Sequence, residues 1–140
     1  MNYISREKFL AQPIEVQHSM KEWYKEYFKD GNDFALINYN SVDTCYHTLV
    51  ALNEEFNIDE CTPLFTEEDL RKFIEFKTNS TIMEININYH GKKCKYSYTM
   101  NIWKSAGNEM FFDYTPITVE ADDILQMYWK IACRVCLEEI

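Results

Sequence analysis

The stretch Met83-Glu84-Ile85-Asn86-Ile87-Asn88-Tyr89 decides the fold. Apolar Met83, Ile85, Ile87 and Tyr89 alternate with polar Glu84, Asn86 and Asn88, the period of two expected of a half-buried strand. His90-Gly91-Lys92-Lys93 follows as turn material, and then Cys94, Tyr96, Tyr98, Met100 and Ile102 alternate with Lys95, Ser97, Thr99 and Asn101. Two such runs around a glycine-bearing turn read as a hairpin. Ser105-Ala106-Gly107-Asn108 is a second turn and Glu109–Tyr114 a third strand, which Thr115-Pro116 is expected to break. The core of the chain is therefore read as an antiparallel meander.

Outward from the meander the period changes to that of helices. On the C-terminal side Thr118 is read as the cap of a long helix, with Asp122 and Asp123 in its first turns. Ile124, Leu125, Tyr128, Ile131, Ala132 and Val135 form its buried stripe. On the N-terminal side stands Pro63-Leu64-Phe65-Thr66-Glu67-Glu68-Asp69-Leu70. Thr66 can accept an orphan backbone N–H, Asp69 can answer it in a shortened capping box, and Phe65 with Leu70 can form a hydrophobic staple. That helix buries Leu70, Phe73 and Ile74 and ends near Lys77-Thr78-Asn79. Further back, Asp33–Tyr39 and Thr44–Leu52 read as a β-hairpin around Asn38-Tyr39-Asn40-Ser41. A helix from Val42 to Phe56 fits a 3.6 period almost as well. Ser5 caps a short helix through Ala11, and after Pro13 an amphipathic helix carries Val16, Met20, Trp23, Tyr24 and Tyr27 on one side, stopping near Asp30-Gly31. The expectation is one α+β domain spanning residues 1–140, its meander packed against N-terminal, central and C-terminal helices.

Charge is distributed unevenly. Between Asp30 and Leu70 lie ten acidic residues and no Lys or Arg, and this stretch accounts for the whole net charge of −9. Such a local field favours a basic partner and opposes the phosphate backbone of a nucleic acid. Lys92, Lys93 and Lys95 cluster at a hairpin turn, where lysines commonly keep a sheet edge soluble. No run approaches the length of a membrane span, and Arg6, Glu7 and Lys8 interrupt any leader-like apolar run, so a cytoplasmic protein is expected. Five cysteines, an odd number without framework spacing, agree with a reducing compartment.

Motifs for chemistry are sparse. The glycines Gly31, Gly91 and Gly107 are dispersed in turns, whereas a phosphate-cradling loop needs them clustered. His18, His47 and His90 are isolated. Cys133-x-x-Cys136 has a metal-like spacing, but a structural zinc site needs a second pair, and on a helix these two share a side where small apolar residues pack. The paired acids Glu54/Glu55, Asp59/Glu60 and Glu67/Glu68 could serve acid–base chemistry or a divalent cation. Adjacent acids among polar residues more often stand in water, and no cofactor or metal is expected. For three of the ten acids the dipole of the central helix is explanation enough.

Glu15-Val16-Gln17 leading to Trp23-Tyr24, the central Pro63–Glu75 segment and the ending Leu125-Gln126-Met127-Tyr128-Trp129-Lys130-Ile131-Ala132-Cys133 resemble a group of small hypothetical proteins. These are encoded by phages and prophages of Clostridium, Bacillus and Listeria-type bacteria. The resemblance implies context rather than chemistry: an accessory viral gene product in a host cytoplasm, with no activity assigned to the group. Two functions follow as expectations. In the first, a non-enzymatic inhibitor or adaptor of anti-defence type binds a host protein with a basic surface, Glu54, Glu55, Asp59 and Glu60 standing in for phosphates. In the second, a small-ligand binder such as a nucleotide-signal sponge stacks bases on Tyr and Trp and holds phosphates with Lys92, Lys93 and Lys95. Self-association is left open by both.

Overall fold

The computed structural model describes residues 3–27, 34–38, 44–48, 62–90, 95–105 and 112–138. The fold is α+β, and the chain divides into two compact units, Tyr3–Thr66 and Glu67–Ile140.

In the first unit α1 (Arg6–Leu10) starts at Ser5, whose hydroxyl accepts the Lys8 N–H at 3.3 Å, as its position before the helix requires. α2 (Ile14–Tyr27) follows, with Val16, Met20, Trp23 and Tyr24 buried at the spacing of one helix face. The Gln17 side-chain amide donates to the Gln12 carbonyl at 2.9 Å and to that of Leu10 at 3.2 Å, fixing the corner between the two helices. Strands β1 (Phe34–Asn38) and β2 (Thr44–Thr48) pair antiparallel, so the hairpin reading prevails over the helical one for these residues. Residues 39–43, where the sequence predicts the turn, and 49–61 lie outside the described residues. β3 (Thr62–Pro63) adds to β1 through Ile37–Pro63 and Asn38–Thr62, giving the order β2-β1-β3.

Phe65, expected as half of a staple, is the hub of an aromatic cluster. Its ring lies 5.3 Å from Tyr24 edge-on, 6.1 Å from Phe9 and 6.5 Å from Trp23. The Ile4 N–H donates to the Phe65 carbonyl at 2.9 Å, and Tyr3 bridges Thr66, so backbone and ring are held together. Pairs of this kind contribute about 0.5–1.5 kcal/mol each beyond area burial.

In the second unit α3 (Glu67–Thr78) buries Leu70, Phe73 and Ile74, as expected, and carries Glu67, Glu68 and Asp69 in its first turn. It ends in a Schellman turn: Ser80 N–H donates to the Glu75 carbonyl, Asn79 N–H to that of Phe76, and Asn79 sits at φ 50°. Asparagine tolerates this left-handed conformation better than other residues with a Cβ. The meander is β4 (Thr81–His90), β5 (Lys95–Ser105) and β6 (Phe112–Ala121), in the order β4-β5-β6. α4 (Ile124–Cys136) packs on α3 and along β6.

Three expectations are corrected here. First, β6 does not break at Thr115-Pro116 but runs through it to Ala121, with Pro116 opposite Asn101. Proline is tolerated because β6 is an outer strand, where a missing N–H can face away from the ladder. Second, Thr118 is therefore a strand residue, its hydroxyl 3.0 Å from that of Thr99. The cap of α4 is Asp123, whose carboxylate accepts the Gln126 N–H at 2.8 Å. Ile117, Val119 and Ala121 are buried while Thr118 and Glu120 are exposed, so period two continues to the end of the strand. Beyond Tyr128, Ile131, Ala132 and Val135, the buried face of α4 takes in Met127, Trp129 and Cys133, and Ile124 and Leu125 are only half-buried.

Third, the apolar row of β4 is neither continuous nor buried. Ile82 pairs Ile102 and Glu84 pairs Asn101, so Met83 is an extra residue in a bulge. The bulge removes Met83 from the row of Ile85 and Ile87. Met83 is 53% exposed, Ile87 53% and Tyr89 59%. Burial on that face belongs to β5 and β6, through Tyr98, Met100, Ile102, Ile117, Val119 and Ala121.

Candidate functional site

The acids expected to form the binding surface, Glu54, Glu55, Asp59 and Glu60, lie outside the described residues, as do Asp30, Asp33 and Asp43. Of the ten acids in the stretch, those described are Glu67, Glu68 and Asp69, in the first turn of α3. Glu67 and Glu68 are exposed and Asp69 half-buried, at the helix end where the dipole favours anions. Glu68 is 3.2 Å from the Lys72 ammonium one turn on. Both side chains reach water, and such a pair contributes at most about 1 kcal/mol. Glu67, Arg71 and Glu75 follow at four-residue spacing. Their fields act on the Tyr128 hydroxyl of α4: burial raises its pKa most, Glu67 and Glu75 raise it further, and Arg71 works against them.

A groove of about 490 Å³ lies where α3 ends and β4 begins, lined by Glu75, Asn79, Ser80, Thr81, Met83, Trp103 and Lys104. Sequence reasoning missed it, because it depends on the bulge that moves Met83 beside Trp103. Two of its polar side chains, Glu75 and Ser80, serve the backbone. The Ile82 N–H donates to Glu75 Oε2 at 3.0 Å, and the Ser80 hydroxyl donates to the Thr78 carbonyl at 3.0 Å. The Trp103 ring meets Tyr114 edge-on at 5.8 Å. A carboxylate and a hydroxyl committed in this way form no nucleophile–base pair with each other.

The described aromatics considered for base stacking divide between core and surface, with Tyr89 and Tyr114 at least half exposed. Trp23 and Trp129 are buried, and Tyr89, Tyr96 and Tyr98 form a ladder of ring contacts at 5.2 and 6.0 Å. Burial raises the Tyr98 pKa, assisted by Asp123 at the start of α4 and by Tyr96. Lys92, Lys93 and the side chain of Lys95 lie outside the described residues. Cys133 is buried in α4, and burial, with a smaller contribution from Cys136, pushes its thiol up to about 12. Cys133 is a packed, protonated thiol, as the core reading expects of it, while Cys136 is only half-buried. Among the described residues no cluster of three or more His, Cys, Asp or Glu could hold a metal, and no helix is long and apolar enough to cross a membrane.

The two outer strands of the meander differ. Along β6, Arg134 donates to the Thr118 carbonyl at 3.0 Å and Lys130 to that of Glu120, so two residues of α4 one turn apart occupy that side. β4 pairs only β5 among the described residues, and Thr81–His90 contains no Lys, Arg or Pro. Compared with known proteins, the chain matches no family model, no curated protein and no solved structure.

Proposed function

We propose that this chain is a non-enzymatic accessory protein of phage type that binds and modulates a host protein with a basic surface. The carrying observation is the charge distribution: one 41-residue stretch holds the equivalent of the entire net charge of −9, while the remaining residues are close to neutral. Glu54, Glu55, Asp59 and Glu60 are the acids in this stretch assigned to the partner. The three in the first turn of α3 also serve the helix dipole. Carboxylates so concentrated can occupy a groove built for nucleic acid, each replacing a phosphate, and they speed encounter with a cationic surface. The commitment of Glu75 and Ser80 to backbone hydrogen bonds supports binding over catalysis as the role of this fold.

The test is a quadruple variant, Glu54→Gln, Glu55→Gln, Asp59→Asn and Glu60→Gln, assayed on a partner captured from host lysate and identified by mass spectrometry. Association should slow by roughly tenfold or more at low salt, and its salt dependence should flatten, with the melting temperature unchanged. An unaltered association rate rules out recognition by these carboxylates.

A further inference from the structure

Among the described residues the two edges of the meander are protected unequally, and the less protected one is self-complementary. Proteins protect free strand edges with lysines, prolines, covering side chains or bulges, because unpaired backbone groups invite another strand. β6 has three such protections: Pro116 within the strand, and the Arg134 and Lys130 side chains on the carbonyls of Thr118 and Glu120. β4 has a bulge at one end, and from Glu84 to His90 it is regular, without proline or cation. On one face it shows Ile87 and Tyr89, more than half exposed, at the margin of a face whose β5 and β6 portions are buried.

The sequence Glu84-Ile85-Asn86-Ile87-Asn88 reads nearly the same in both directions about Asn86. Two antiparallel copies related by a two-fold axis through the sheet must pair residues on the same face, so each register is centred on one residue facing itself. Centred on Asn86, Ile85 meets Ile87 of the other copy, Glu84 meets Asn88, and Asn86 meets Asn86. Apolar faces apolar, and the strand's one carboxylate faces a neutral amide. Centred on Glu84, the two carboxylates would oppose each other, which is destabilising. The register about Asn86 also keeps the Met83 bulge at the end of the seam. Unit Glu67–Ile140 holds twelve acids and nine bases, so long-range repulsion between two such units is weaker than the net charge of the whole chain suggests.

We propose that two copies of this chain associate by antiparallel pairing of their β4 edges, centred on Asn86, joining two three-stranded sheets into one of six strands. The rows of half-buried Ile85 and exposed Ile87 and Tyr89 then adjoin across the seam. One strand pair with its flanking side chains lies at the small end of specific interfaces, so dissociation on the order of micromolar concentration is expected.

Sedimentation equilibrium of the purified full chain should show a reversible monomer–dimer equilibrium. Ile87→Lys should weaken dimerisation at least tenfold without changing the circular dichroism of the monomer. Under mild oxidation Asn86→Cys should cross-link to a covalent dimer well above the level of the unsubstituted chain, whereas Asn88→Cys should not, since it faces Glu84. A monomer at all accessible concentrations overturns the proposal, as does a dimer insensitive to Ile87→Lys. Cross-linking at residue 88 equal to that at residue 86 overturns it too. None of these readouts involves the basic partner, so they stand or fall separately from the function proposed above.

Discussion

At the residue scale, Asp123 and Thr118 exchange the roles their types suggest. Both are good helix caps, but only Asp123 has its side chain on a helix N–H, that of Gln126 at 2.8 Å. Asp123→Ala should cost about 1 kcal/mol in urea unfolding. Thr118→Ala, which removes one cross-strand hydroxyl contact on an exposed face, should cost less. A larger loss at Thr118 would return the cap to it. Cys133 makes a prediction in pH. Its thiol is raised from 9.0 to about 12 by burial. Below 9.0 both folded and unfolded chains hold the proton and no pH effect arises. Between 9.0 and about 12 the unfolded chain releases it while the folded chain keeps it, so stability falls as pH rises. The slope from this group approaches about 1.4 kcal/mol per pH unit. Denaturant midpoints measured up the alkaline range should show it, and Cys133→Ala should lack that component.

At the element scale, helix faces and strand periods were legible and their limits were not. Val16, Met20, Trp23 and Tyr24 on α2 and Leu70, Phe73 and Ile74 on α3 are buried as their spacing requires, because a helix with one apolar stripe has one stable way to pack. The end of β6 is not legible in the sequence, because Thr115-Pro116 breaks an inner strand but is tolerated in an outer one. The bulge at Met83 was hidden because alternation in sequence continues through it, while register is a property of two strands. Glu75 anchors that irregular start: its carboxylate accepts the Ile82 N–H at 3.0 Å and ties the last turn of α3 to β4. Glu75→Ala should cost about 1–3 kcal/mol and raise amide exchange at Ile82. Glu84→Ala, on an exposed residue of the same strand, should do neither. Equal effects of the two would mean that the carboxylate is not the anchor.

At the scale of the whole molecule, the acidic excess and the β4 edge fall in different units. Residues 1–66 hold eleven acids and five bases, and residues 67–140 twelve and nine, so the acidic excess is concentrated in the first unit and the β4 edge belongs to the second. Loss of association on removing carboxylates and loss of dimers on altering Ile87 are therefore expected to be separable. The sequence by itself determined the α+β class, the faces of α2 and α3, the meander and the location of the acidic stretch. These follow from periodicity and composition, which are local. Only the tertiary structure decided that Met83 leaves its row, that Asp123 rather than Thr118 starts α4, and that β6 is guarded by Lys130 and Arg134 while β4 has no such contact among the described residues. Each of those depends on which strand lies outermost and on what packs across it, and that is fixed by contacts between residues far apart in the chain.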